Sequence, residues 1–221
     1  MPQARALREI ERGIELFRPI VHLNFAIGRD GRIAAFDGQP AEISCCEDWR
    51  RVHHLRERYD AIAVGARTWI GDRPLLTARR ERLGREPRQQ PARVIFAGRH
   101  ACPVVDNGRR TFVVGAAAAG RQDIHPEGVC FIPTEGHDLR SPLAALQEAG
   151  LGSLLVEGGP TLLRSFLVQG LFDVVEVYVR DPSPDAARQF AHHVLDALPP
   201  SSSACVLGEG TLLTFEVPAN C

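Results

Sequence analysis

No apolar run in this chain approaches the roughly 20 residues that a bilayer-spanning helix needs. The opening stretch, MPQARALREIERGIELF, mixes charges of both signs instead of setting a basic region before an apolar one, so it does not read as a secretory signal. The expectation is a soluble, cytoplasmic protein. Net charge is almost absent as well: 26 Lys and Arg face 27 Asp and Glu. No whole-molecule field draws nucleic acid or anionic lipid, and any anion must be held by a local site. C-x-x-C pairs are missing, and none of Cys45, Cys46, Cys102, Cys130, Cys205 and Cys221 lies near a histidine at zinc-ligand spacing. They read as reduced intracellular thiols, with Cys45 and Cys46 as small residues in a turn before a helix. The histidines include two adjacent pairs, His53 with His54 and His192 with His193. Neighbours on a helix point about 100° apart, so neither pair chelates an ion from one face, and no metal is expected. Neither the dinucleotide fingerprint G-x-G-x-x-G nor a P-loop occurs, which removes the classical Rossmann and P-loop readings.

What is present is an alternation of strand and helix signals. The chain has 221 residues, 44% of them hydrophobic, enough for a sizeable core, and shows no internal repeat or clear domain boundary. Leu7, Ile10, Ile14 and Phe17 fall at three- and four-residue spacing and predict an amphipathic helix over residues 4–17. IVHLNFAIG reads as a buried strand, and GRDGRIA supplies an Asp-Gly turn. SCCEDWRRVHHLRERY reads as a helix with Ser44 as N-cap, early acids Glu47 and Asp48, and Val52 and Leu55 on one side. DAIAVG follows as a short buried strand, and the arginine-rich stretch at residues 78–90 reads as polar and mobile. Strands are predicted at ARVIFAG, TFVVGA and VCFIP. A helix at SPLAALQEAG starts with Ser141 as N-cap and Pro142 in the first position and stops at Gly150. SLLVEG, PTLLRSFLVQG and VVEVYV then make a strand–helix–strand unit. The pattern predicts an α/β fold with a mostly parallel sheet.

The segment LLVEGGPTLL, Leu154 to Leu163, carries the first chemical signal. A turn between a parallel strand and the following helix lies at the carboxyl edge of the sheet, where open α/β folds bind ligands. Glycines let the main chain turn and come close to a ligand, and the helix start offers unpaired N–H groups to a phosphate. Glu157 is the anomaly, since an acid beside an anion site repels the ligand unless it points elsewhere. Taken alone, E-G-G-P is equally an ordinary strand-to-helix turn.

Five segments in order say more: AIGRDGRIA, ISCCEDWRRVHHLRERYDAIAVGARTW, GDRPLLTAR, PARVIFAGR and LLVEGGPTLLRSFLVQGLFDVVEVYV. The series, from about Pro19 to about Val179, resembles the pyrimidine reductase domain of riboflavin biosynthesis, a dihydrofolate-reductase-like fold. No deaminase-type motif, H-x-E with P-C-x-x-C, precedes it, so the chain looks like a free-standing reductase. The expected organisation is an N-terminal amphipathic helix within residues 1–18, read from its apolar spacing, added to a dihydrofolate-reductase-like reductase domain over 19–221. The resemblance implies reduction of the ribosyl group of a diaminopyrimidinone 5′-phosphate to a ribityl chain with NADPH, and a homodimer. It assigns Gly65 and Thr68 of V-G-A-R-T to the cofactor, Gly98 and Arg99 to the region of the adenosine 2′-phosphate, and Glu157, Gly158, Gly159, Pro160 and Thr161 to the pyrophosphate turn. An arginine fork suits the 2′-phosphate because it makes paired, charge-assisted hydrogen bonds. The substrate side falls on Asn24, Ala26, Asp30, Asp72, Leu76 and Arg79, with Arg79 suited to the substrate phosphate. Asp30 also has a plain role in turn geometry. Hydride transfer needs no side-chain nucleophile, so Asp72 and Glu157 are the proton-handling candidates.

Three departures from the family pattern stand out. Gly28 and Arg29 stand where S-x-D-G-K has a hydroxyl, and Trp49 stands where an arginine precedes the histidine of V-H-x-L-R. The adjacent Arg50 and Arg51 point in other directions around the helix. After Val179, RDPSPDAARQFAHHVLDALPPSSSACVLGEG departs from P-x-x-x-G-G and contains an extra helix. Two readings compete with the leading one. The first is a reductase of another heterocyclic or pterin-like substrate, dihydrofolate included, and the second is an NADPH-binding subunit without catalysis.

Overall fold

The computed structural model describes residues 18–31, 33, 43–104, 108–116, 128–134, 136–195, 198 and 203–216. The helix expected over residues 4–17 lies outside them. Among the described residues nine strands form one sheet: β1 (Ile20–Ile27), β2 (Ala61–Gly65), β3 (Ala92–Gly98), β4 (Thr111–Gly115), β5 (Val129–Ile132), β6 (Ser153–Val156), β7 (Val174–Val179), β8 (Ser203–Leu207) and β9 (Gly210–Glu216). Their spatial order is β5-β4-β3-β2-β6-β1-β7-β9-β8. Strands β1 to β7 pair in parallel, while β9 runs antiparallel to both β7 and β8. The helices are α1 (Cys46–Arg56), α2 (Ala66–Asp72), α3 (Arg80–Leu83), α4 (Arg140–Glu148), α5 (Pro160–Gln169) and α6 (Pro184–Val194). The mostly parallel α/β architecture is the one predicted, and α6 is the extra helix expected after Val179.

The two faces of the sheet differ in chemistry because side chains alternate along each strand. In β1, Val21, Leu23, Phe25 and Ile27 point into a large apolar core closed by Leu143 and Leu146 of α4, Phe166 of α5 and Ala187 of α6. The intervening His22 and Asn24 are buried on the opposite face, where α1 lies. There the apolar filling is smaller, with Tyr59, Ile62, Val64, Leu76 and Leu155 in one cluster. The α1 face therefore has room for polar groups.

Three local expectations are corrected. The N-cap of α1 is Cys45, not Ser44: its thiol accepts from the Asp48 N–H at 3.5 Å. A cap serves the N–H three residues on, and the helix begins one residue later than the sequence reading had it. Helix α4 starts at Arg140 after Leu139, whose N–H bonds the Gln169 Oε1 at 2.9 Å, so Ser141 and Pro142 fall inside the first turn. Burial of Leu139 in the core draws the helix start back. The polar stretch at residues 78–90 contains α3 and is closed by Gln90, which bonds both the N–H and the carbonyl of Ala78 at 3.0 and 2.8 Å.

Candidate active site

Because β3, β2 and β6 are parallel neighbours, the segments after them emerge side by side at one edge. The Glu157 N–H donates to the Ala63 carbonyl at 3.0 Å, which seats the β6–α5 turn on the β2–α2 turn. Contact there is close enough to require glycine: a methyl group at Gly158 would stand 2.8 Å from Val64 Cγ1 and 3.3 Å from Thr68 Cγ2. Gly159 has φ +71°, and a methyl there would meet the Thr68 hydroxyl at 3.0 Å. Gly65 is less crowded, with Leu162 Cβ 3.6 Å from a methyl at that position. Gly159 is the N-cap of α5, so no side chain competes for the first-turn N–H groups. Pro160 and Thr161 are exposed beside this cradle, and exposed Arg99 follows Gly98, whose φ is +57°, at the end of β3. The structure thus brings Gly65, Thr68, Gly158 and Gly159 into contact and places Gly98 and Arg99 on the neighbouring strand.

Glu157 points away from the turn. Its two oxygens accept from Arg56 Nε at 2.9 Å and Nη2 at 2.7 Å, and both side chains are only 9% exposed. The same guanidinium donates from Nη1 to the Thr77 carbonyl at 3.1 Å. Burial disfavours the charge on Arg56, but Glu157 outweighs it and raises the pKa. Neutralisation by Arg56 resolves the anomaly of an acid beside an anion cradle.

Thr77 belongs to the segment joining α2 to α3, which carries the candidate substrate residues. Asp72 is exposed at the last residue of α2. Arg73 and Leu76 adopt φ +44° and +50°, unusual for residues other than glycine. Arg109 donates to the carbonyls of Leu75, Leu76 and Pro91, and the Arg79 N–H donates to His53 Nδ1 at 2.9 Å. The side chain of Leu76 packs with Tyr59, Ile62, Val64 and Leu155, in the core and not at the open edge. Arg79 and Arg82 are exposed, and the Arg82 guanidinium lies 5.8 Å from the Trp49 ring centre. His53 is pushed down to about 3 by burial and then by Arg56, Arg79 and Arg82, so it is neutral and accepts at Nδ1.

A second polar cluster surrounds Asn24. Arg51 Nη2 donates to Asn24 Oδ1 at 2.7 Å and to Asp48 Oδ1 at 2.7 Å, and Nη1 pairs with Glu176. His22 joins Tyr59 through Nδ1 at 2.8 Å and stands 3.4 Å from Glu176 through Nε2, an ion-pair distance longer than a good hydrogen bond. Burial opposes a charge on Glu176, but His22 and Arg51 outweigh it and its pKa falls. Ala26 follows Asn24 on the same face, and Asp30 is exposed in the turn closed by Gly31 N–H to the Gly28 carbonyl at 3.0 Å. Arg51, Arg56, His22, Glu176 and Arg109 were missed by sequence reasoning. Only the Asp48–Arg51 spacing of three residues signalled a pairing. Among the described residues no cluster of His, Cys, Asp and Glu could hold a metal ion.

The mostly parallel nine-stranded sheet flanked by helices, with a glycine turn at its carboxyl edge and a buried polar cluster under α1, has a dihydrofolate-reductase-like fold. A model of the RibD C-terminal domain matches residues 19–181, and the chain belongs to that family. The 2,5-diamino-6-ribosylamino-4(3H)-pyrimidinone 5′-phosphate reductase of Archaeoglobus fulgidus is 33% identical over 176 residues, covering 73% of this chain and 80% of the relative. The protein of the same name from Methanothermobacter thermautotrophicus is 37% identical over 170 residues, covering 73% and 77%. Among solved structures, a diaminohydroxyphosphoribosylaminopyrimidine deaminase/5-amino-6-(5-phosphoribosylamino)uracil reductase from Thermotoga maritima shares the fold, with TM-score 0.68 and 24% identity. That match covers 95% of this chain, which spans 58% of the longer protein. Among the described residues no helix is long and apolar enough to cross a membrane.

Proposed function

We propose that this chain reduces 2,5-diamino-6-ribosylamino-4(3H)-pyrimidinone 5′-phosphate to the ribitylamino product with NADPH, as a step of riboflavin biosynthesis. The observation that carries this reading is the glycine cradle between the β2–α2 and β6–α5 turns, in a chain whose relatives of 33% and 37% identity bear that activity in their names. What supports a dinucleotide here is the helix start left without a capping side chain at Gly159, on a turn seated tightly against Val64 and Thr68, with the adjacent acid Glu157 neutralised by Arg56.

The main-chain N–H groups of Gly158, Gly159 and Thr161 would hold the pyrophosphate, with the Thr68 hydroxyl and Gly65 flanking it, and Arg99 with Gly98 would take the 2′-phosphate. Asn24, Ala26 and Asp30 line the heterocycle side, and Arg79 grips the substrate phosphate. Leu76 supports this pocket from beneath. A bound nicotinamide would supply the hydride for C1′ of the ribosyl group, whose C1′–O4′ bond must open with a proton delivered to O4′. Asp72, exposed at the end of α2, is suited to handle that proton. Both oxygens of Glu157 are committed to Arg56, so Glu157 orients and balances charge. The family resemblance also implies a homodimer, which light scattering of the purified chain tests.

The decisive experiment follows NADPH oxidation with the phosphorylated substrate and its dephosphorylated form in parallel. Turnover that requires the phosphate supports the reading. NADPH binding without turnover on either would move the substrate to another heterocycle.

A further inference from the structure

The cofactor cradle and the substrate segment are not in one element, yet one buried guanidinium touches both. Arg56 ends α1 and is 8% exposed. Its Nε and Nη2 hold the two oxygens of Glu157, the first residue of the cradle turn, and its Nη1 holds the carbonyl of Thr77, between Asp72 and Arg79. Residues 73–79 are held largely from outside: Arg109 takes the carbonyls of Leu75 and Leu76, and His53 takes the Arg79 N–H. Two left-handed non-glycine residues in this segment persist because these contacts over-determine it. A planar fork with donors in fixed directions transmits displacement as a point charge on a flexible stem would not. When a ligand fixes Glu157, Arg56 is fixed, and with it Thr77.

Resting on the reductase reading, we propose that Arg56 is a positioning residue that couples dinucleotide binding at residues 157–161 to substrate binding at residues 72–79. Coupling is reciprocal, so each ligand tightens the other by the same factor. Glu157 then has a second use beyond charge balance, as the lever through which the cradle reports its occupancy.

The test measures NADP+ affinity by calorimetry with and without saturating 2,5-diamino-6-ribosylamino-4(3H)-pyrimidinone 5′-phosphate, a pair that cannot turn over. Wild type is expected to bind NADP+ about 5-fold or more tightly when substrate is present. Arg56→Lys keeps the charge but cannot serve Thr77 and both Glu157 oxygens together. The double variant Arg56→Met/Glu157→Gln leaves no unpaired buried charge. In both, the ratio is expected to fall toward one while each ligand still binds. A ratio unchanged in the variants, or equal to one in wild type, overturns the coupling. In wild type, NADP+ should also slow hydrogen exchange of the residue 77–79 amides, a readout that needs no variant, and unchanged exchange there counts against the inference. Failure of wild type to bind either ligand would instead overturn the reductase reading and the inference with it.

Discussion

Arg51 Nη2 donates to the side-chain oxygen of Asn24 at 2.7 Å, which fixes the amide with its Nδ2 turned away from α1. The same guanidinium serves Asp48, which is 1% exposed, and Glu176. Arg51→Met should therefore strand two acids and destabilise the fold by about 3–5 kcal/mol, the usual cost of breaking a buried pair. Asn24→Ala removes one hydrogen bond and should cost about 1–3 kcal/mol, with KM for the substrate raised more than kcat is lowered. Urea unfolding separates the two, and equal costs would contradict this account of the cluster.

Gly158→Ala and Gly65→Ala make a matched pair. The first places a methyl 2.8 Å from Val64 Cγ1 and should cost about 1–3 kcal/mol of stability and weaken NADPH at least tenfold. The second meets Leu162 at 3.6 Å, an ordinary contact, and should leave stability within about 0.5 kcal/mol. Thermal unfolding and fluorescence titration check both, and a tolerated Gly158→Ala would remove the cradle.

These contrasts show what the sequence made legible. Strand and helix order followed from apolar spacing, and the E-G-G-P turn lay where its composition put it. The role of Glu157 was not legible, because its partner Arg56 lies 101 residues away and nothing local to VHHLR announces a buried guanidinium. The resemblance put Leu76 on the substrate side, yet in the structure its side chain packs in the core beside Tyr59, with φ at +50°. Ser44 and Cys45 compete for one cap, and a one-residue shift of α1 decided between them.

His53 gives a pH prediction. Its native pKa is depressed from 6.5 to about 3 by burial and by Arg56, Arg79 and Arg82, with His54 adding to the effect. Below pH 6.5 the unfolded chain takes a proton that the native state refuses, so stability is lost as pH falls from about 6.5 toward 3. Glu57, held down to about 2 chiefly by Arg85, loses its contribution only below its ordinary 4.5. Between pH 6.5 and 5 the slope therefore belongs largely to His53, and His53→Asn, which keeps an acceptor for the Arg79 N–H, should flatten it. A melting-temperature profile as steep as wild type would refute the assignment.

Arg99→Ala should weaken NADPH by about 10- to 100-fold, the worth of a charge-assisted hydrogen bond, and leave NADH almost unchanged. Equal weakening of both would detach Arg99 from the 2′-phosphate.

The central claim is that the chain transfers a hydride from a nicotinamide to the ribosyl carbon of a phosphorylated aminopyrimidine. Turnover with NADPH deuterated at both C4 positions, followed by mass spectrometry and NMR of the product, tests it most directly. The account predicts one deuterium per ribityl chain, at C1′. A product without deuterium, or deuterium elsewhere, would contradict it.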